Sequence, residues 1–285
     1  MFLATTANQR FWSKEEPILF LGEWCRVYSQ KHVWSKLEHE VLSYYAYEKD
    51  VLFDDYKYSV NVYEGLLVQL SQVLNKLHQT NHSVRYWRIV LGPWLLRFIQ
   101  IFLDRYRSIC NAADSEKVTN TWITRGFKEK FIPNDLLEFN QWQFEDQYNH
   151  YLFSEIIRFV EKIPWEEKKD IDFSLPKLLP NQISFKNQFK GFLFRLIEQW
   201  SKVVPDSLQT ISFIDSYFKP IDLLRLQFSI GMVPVLYRAR KKIPPIELNG
   251  QMRGEINLGP RENQFESILA KYLPFQIPKI YLEGY

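Results

Sequence analysis

Three short stretches of this chain carry the side chains best suited to chemistry. The first is His82-Ser83-Val84-Arg85-Tyr86-Trp87-Arg88, followed by Gly92-Pro93-Trp94. Asn81 or Ser83 suits a helix N-cap, because a short oxygen-bearing side chain accepts from a first-turn N–H. Arg85 and Arg88, three positions apart, then share one helix face. Cations there oppose the helix dipole, at about 0.3–1 kcal/mol each. With His82 beside them and free backbone N–H groups between, they could hold an anion. The alternative is pairing with carboxylates from elsewhere in the fold, such as Glu23.

The second stretch is Thr5-Thr6-Ala7-Asn8-Gln9-Arg10, at the exit of an apolar run. Small hydroxyl and amide side chains such as Thr6 and Asn8 suit sugar hydroxyls, and Arg10 suits an anion. An ordinary polar loop is the competing reading. The third is Gly22-Glu23-Trp24-Cys25-Arg26, at the exit of another apolar run. A carboxylate beside an indole suits a general base with an aromatic platform, so Glu23 is the candidate base and Trp24 the ring under a sugar. Glu23 as the ion-pair partner of an arginine is the alternative.

Positioning these residues calls for strands and long helices. Phe2 to Thr6 and Pro17 to Gly22 are short apolar runs bounded by turn signals, the pattern of strands buried on both faces of a parallel sheet. Val41 to Tyr45 and Thr210 to Ile214 are further strand candidates. In Asp50 to His78, residues Leu66, Leu67, Leu70, Val73, Leu74 and Leu77 paint one apolar helix face. Helices are also expected at Val84 to Ile109, Asp135 to Val160, Phe185 to Val203, Lys219 to Ser229 and Asn263 to Tyr272. Pro93 removes the bond to the carbonyl of Ile89, which predicts a kink. Lys162 to Asn181 reads as a surface linker and Arg238 to Pro260 as a loop region. The fold class that follows is α/β, a small, mostly parallel, Rossmann-like sheet bearing long inserted helices. In such a sheet the strand exits share one edge, so the loops at Asn8 and Glu23 should meet, with Arg85 approaching them.

Composition narrows the function classes. The chain has 285 residues, 46% hydrophobic and 24% charged, which excludes a disordered chain. Aromatic residues reach 16%, a sign of a heavy core or of stacking surfaces. A net charge of +3 argues against bulk nucleic-acid binding. Local balance varies: residues 81–131 carry nine basic and four acidic side chains, residues 132–180 five and ten. Cys25 and Cys110 are too few and too far apart for a disulfide framework or zinc spacing, and read as buried free thiols. The five histidines, His32, His39, His78, His82 and His150, show no ligand spacing, so no metal is expected and no cofactor is implied. There is no P-loop, G-x-G-x-x-G or G-x-S-x-G motif. Met1 to Ala4 is too short for a signal peptide, and Ile89 to Leu103 too short for a bilayer span. The expected location is the cytoplasm. The basic run Arg238 to Lys242 keeps open a peripheral contact with the inner face of the membrane. The patterned, apolar stretch from Leu273 to Tyr285 gives the expectation of a chain cut short.

Phe2-Leu3-Ala4-Thr5-Thr6, the run Ile18 to Cys25, and His82-Ser83-x-Arg85-Tyr86-Trp87-Arg88-Ile89-x-x-Gly92-Pro93-Trp94 together resemble a family of transferases found among bacterial O-antigen and surface-polysaccharide genes. Members are about twice as long. The resemblance implies that residues 1–285 form the N-terminal, acceptor-side domain of a two-domain, GT-B-like glycosyltransferase. A nucleotide-sugar-binding domain with a Gln-His-Gly-Gly type loop would follow. The partners implied are a nucleotide sugar and a glycan acceptor, and the domain would be inactive alone. In that setting Glu23 is the base, Thr6, Asn8 and Trp24 contact sugar, and His82, Arg85 and Arg88 hold a donor phosphate or an acidic-sugar carboxylate. The alternative class is a non-catalytic scaffold docking a partner protein or membrane. A scaffold would scatter Asn8, Glu23 and Arg85 and show a large apolar patch.

Overall fold

A computed structural model describes residues 1–125, 128–168, 218–232, 246–259 and 261–285. The expected helix at Phe185 to Val203, the expected strand at Thr210 to Ile214 and the basic run Arg238 to Lys242 lie outside the described residues, as does most of the expected linker. The chain divides into two compact units, one of residues 1–176 with 246–285 and one of residues 177–245.

Among its described residues the first unit holds five parallel strands: β1 (Phe2–Ala4), β2 (Ile18–Phe20), β3 (His39–Val41), β4 (Asn120–Thr124) and β5 (Glu166–Lys168), in the order β3-β2-β1-β4-β5. Phe2, Leu3 and Ala4 pair with Ile18, Leu19 and Phe20, and all six are buried. Apolar side chains pointing both ways require cover on both faces, which is why these runs belong to a parallel sheet. The α/β, helix-rich class expected from the sequence is the one observed. The third strand lies at His39–Val41 rather than Val41 to Tyr45. Its ladder with β2 closes with Leu42 N–H donating to the Phe20 carbonyl, and Tyr44 then turns to Asp104. β4 and β5 escape the apolar-run signal because they read Asn-Thr-Trp-Ile-Thr and Glu-Glu-Lys.

The short α1 (Lys31–Trp34) lies between β2 and β3, and the connection from β3 to β4 holds α2 (Lys49–His78), α3 (Val84–Val90) and α4 (Gly92–Asp114). α5 (Leu136–Trp142) and α6 (Asp146–Val160) connect β4 to β5, and α6 packs on β4 and α4. α2 lies on α4 and buries Leu66, Leu67, Leu70 and Leu74, as its periodicity predicts. Its first turns differ, for Val51, Leu52, Phe53 and Tyr56 are exposed. The helix expected at Val84 to Ile109 is interrupted at Leu91, two residues before Pro93, which has no N–H to offer the Ile89 carbonyl; the break falls where the kink was expected. Along α4, Trp94, Phe98 and Phe102 stack at 5.4 and 5.5 Å, one helical turn apart, and account for part of the aromatic excess.

The single helix expected over Asp135 to Val160 is two. Phe144 and Glu145 N–H groups donate three residues back to Gln141 and Trp142 and close α5, and extended Glu145 then caps α6. The second unit contributes α7 (Pro220–Ser229), with Pro220 at its first position as expected. In the first unit, α8 (Gly250–Gly254) and α9 (Gln264–Tyr272) precede the last segment, where Leu273, Ile277 and Leu282 are buried. Buried Arg253 holds that segment, donating to both Glu283 carboxylate oxygens and to the carbonyls of Pro274 and Ile277. Among the described residues no helix is long and apolar enough to cross a membrane.

Candidate functional site

Parallel strands discharge their chain at one edge, and the loops leaving that edge border a crevice. Here the exits of β1 and β2 and the start of α6 enclose a cleft of about 510 Å³ lined by Thr6, Ala7, Trp24, Val27, Arg105, residues 143–147, Asn149 and Phe153. Thr6 and Trp24, both expected to contact substrate, are in its wall.

The β1 exit is tied down by its own carbonyls. The Thr5 carbonyl accepts from Trp24 Nε1 at 3.1 Å, and the Thr6 carbonyl from Trp12 Nε1 at 2.8 Å. Cys25 is buried against Ala4, donating from Sγ to its carbonyl. Gly22 gives the Trp24 ring its place, since a Cβ there would lie 2.2 Å from the indole. The Thr6 hydroxyl is buried without a hydrogen-bond partner, so its capacity is open.

α6 supplies the opposite wall. Asp146 Oδ1 accepts from Ala7 N–H at 3.2 Å, joining the helix start to the β1 exit. Burial raises the Asp146 carboxyl above its ordinary range, opposed by that hydrogen bond and reinforced by Glu145. Arg105, from α4, donates through Nε to Asn149 Oδ1 at 3.0 Å, pairs with Asp104 and lies over the Phe153 ring. Among the described residues it is the one basic side chain in the wall. Phe144 stands at the rim, 81% exposed. Behind the cleft, His150 is buried against Phe11 with Nδ1 3.1 Å from Thr5 Oγ1, and burial lowers it to about 3, so it is neutral.

The remaining expected residues are elsewhere. Asn8 and Arg10 follow β1, where Asn8 Oδ1 accepts from Arg10 N–H and Arg10 is exposed. Neither lines the cleft. Glu23 is 75% exposed and grips Arg26 with both oxygens, at 2.7 and 2.6 Å. The strands are parallel, so the loops of Asn8 and Glu23 do leave one edge, but Glu23 turns outward.

The expected convergence of the helix-start arginines on this edge is corrected. Gly92 and Arg105 are 13 residues apart on α4, about 20 Å at 1.5 Å per residue. α3 lies beyond Gly92, against the end of α2. There Ser83 caps the helix, His82 stacks on Tyr86 at 3.9 Å, and Arg88 meets Glu64 with two bonds of 2.5 and 2.6 Å. Arg88 in turn holds the Glu64 carboxyl below its usual range. Arg85 is exposed and lies in no ion pair among the described residues.

Sequence reasoning missed Phe144, Glu145, Asp146, Asn149 and Arg105. The signal present was the pair Glu145-Asp146, which suits a helix start, but it was placed inside one continuous helix. Among the described residues no cluster of His, Cys, Asp or Glu is arranged to hold a metal ion.

The family model described as LIC12162 family transferase matches residues 1–285, and the chain belongs to this family. No curated protein and no solved structure matches the chain.

Proposed function

We propose that this LIC12162 family transferase binds a sugar acceptor in the cleft at the carboxyl edge of its sheet. It would form the acceptor side of a glycosyl transfer in surface-polysaccharide synthesis, in a two-domain, GT-B-like arrangement whose other domain binds the nucleotide sugar. The pathway and the two-domain arrangement rest on the resemblance of the β1, β2 and α3 motifs. The observation that carries the sugar reading is the pairing of two accessible rings, Trp24 and Phe144, with a polar wall of Thr6, Arg105, Glu145, Asp146 and Asn149. Aromatic rings present an apolar face to a sugar's C–H groups, while amides, hydroxyls and carboxylates match its hydroxyls.

In this reading Asp146 is the base. The acceptor hydroxyl oxygen forms the bond to the donor's anomeric carbon, the bond to the leaving phosphate breaks, and the hydroxyl proton passes to Asp146. Partial desolvation raises the carboxylate's proton affinity, as a general base requires. Arg105 supplies positive potential for the leaving phosphate. Glu23, with both oxygens on Arg26, orders the β2 exit that carries Trp24.

A docking module remains the second reading, favoured by the exposed apolar first turns of α2. Saturation-transfer NMR of the full chain with a panel of monosaccharides and methyl glycosides separates the two. Transfer to at least one sugar, lost in Trp24→Ala and reduced in Asp146→Asn, supports the acceptor site. Absence of transfer to every sugar, or transfer indifferent to both substitutions, overturns it.

A further inference from the structure

A second concavity lies beside the cleft. A groove of about 640 Å³ runs between the first turns of α2 and the middle of α4, walled by Tyr44, Tyr45, Leu52, Phe53, Tyr56 and Leu103. Leu52, Phe53 and Tyr56 are 54, 56 and 53% exposed, an unusual amount of apolar surface to leave in water on one short segment. Its volume falls within the range of small-molecule sites, roughly 300–1,000 Å³.

The groove and the cleft share a partition. Trp24, in the cleft wall, meets Tyr44, in the groove wall, edge to face at 6.4 Å. Asp104 and Arg105 are consecutive on α4 and ion-paired, the first facing the groove and the second the cleft. Tyr44 ties the partition together by donating to Asp104 Oδ1 at 2.5 Å. A molecule lying across this partition would have a polar head in one compartment and an apolar part in the other.

Charge selects among occupants. Asp55 and Asp104 are in the groove wall, turned to Arg107 and Arg105 respectively. Around the start of α2 the sequence carries Glu48, Asp50, Asp54 and Asp55 against Lys49 and Lys57, with Arg107 of α4 on Asp55, so acidic groups still outnumber basic ones there. A surface with that balance does not attract an anionic bilayer, which recruits clustered Lys and Arg.

We infer that the groove holds an uncharged apolar stem attached to the acceptor, so that the acceptor is amphipathic, its sugar head in the cleft and its stem along Tyr44, Phe53 and Tyr56. This rests on the sugar reading of the cleft for the head alone.

Isothermal titration of the full chain with methyl, octyl and dodecyl β-glucosides, kept below their micelle concentrations, tests it. Each buried methylene is worth up to about fourfold in affinity, so octyl glucoside should bind at least tenfold more tightly than methyl glucoside. The double substitution Leu52→Ser with Phe53→Ser, at exposed positions, should abolish that gain and leave methyl glucoside binding unchanged. Ile89→Ser, an exposed apolar residue on α3, should leave the gain intact. Affinity independent of chain length, or a gain that survives the double substitution, overturns the groove. Methyl glucoside binding indifferent to Asp146→Asn and Trp24→Ala overturns the cleft reading instead, whatever the alkyl series shows. Self-association, or binding to anionic vesicles, that is lost in the double variant and not displaced by octyl glucoside overturns the stem in favour of a second copy or a membrane.

Discussion

Two regions of this molecule carry similar residue types and end differently. At the sheet edge, Thr6, Trp24, Arg105 and Asp146 come from four segments and face one cleft. At the start of α3, His82, Arg85 and Arg88 come from a single segment and line neither the cleft nor the groove; Arg88 is held by Glu64 and His82 by Tyr86. A run of polar and basic residues adjacent in sequence advertises itself, yet on a helix it spreads over the surface and pairs with whatever carboxylate is near. A site gathers when loops from different strands are brought to one edge, and its members then need not be neighbours in the chain.

The comparison breaks first at Asp146. In an assay of group transfer run together with the domain proposed to bind the nucleotide sugar, Asp146→Asn should lower kcat/KM by about 10²–10⁴, the usual contribution of a general base, while Glu23→Gln stays close to the parent. Because burial raises the Asp146 carboxyl, the acid limb of kcat/KM should lie above the ordinary carboxylate range. The reverse ranking of the two variants would return the base to Glu23.

The next effect is at Gly22, where the edge depends on a missing Cβ. Gly22→Ala forces the Trp24 ring to move and should cost about 1–3 kcal/mol of stability, as overpacking does, with weaker sugar binding. Unchanged binding would show that the ring's position is immaterial.

His150 sharpens the contrast through pH. Its folded pKa of about 3 lies below the unfolded value near 6.5. Its contribution is therefore complete above about pH 6.5 and is lost as pH falls towards 3, roughly 2 kcal/mol by pH 5. Asp146 acts in the opposite sense. Raised in the fold, its proton favours the native state at low pH, and that help is lost as pH rises through the folded value. Thermal unfolding at pH 7 and pH 5 should show a drop that flattens in His150→Gln. An equal drop in the variant would assign it to other groups.

The smallest effects are expected at α3. Arg85→Ala and Arg88→Ala should leave sugar binding unchanged and barely move Tm, since both side chains are exposed. Loss of inorganic phosphate binding in Arg85→Ala would restore an anion site there and make the two regions equals.

Much of the architecture was legible because it is written in local pattern. Three consecutive apolar residues at β1 and again at β2 cannot be half-exposed, so a parallel sheet followed. The four buried leucines of α2 follow a helical period, and Pro93 has no N–H to offer. These are statements about one segment and hold wherever it sits. β4 and β5 were hidden because β5 is wholly polar and polar residues flank Trp122 and Ile123 in β4, and their strand character comes from pairing with β1 and with each other. The break between α5 and α6 was hidden for a related reason: Asp146 finds its partner at Ala7, 139 positions away. The same long-range pairing decided the site. Thr6 and Trp24 could be named from strand exits alone, but which carboxylate faces them depended on how the start of α6 meets the β1 exit at Ala7. Chain proximity determines helices and turns; only tertiary packing determines which side chains from distant segments face one cleft, and it puts Asp146 and Arg105, rather than Glu23 and Arg85, in that wall.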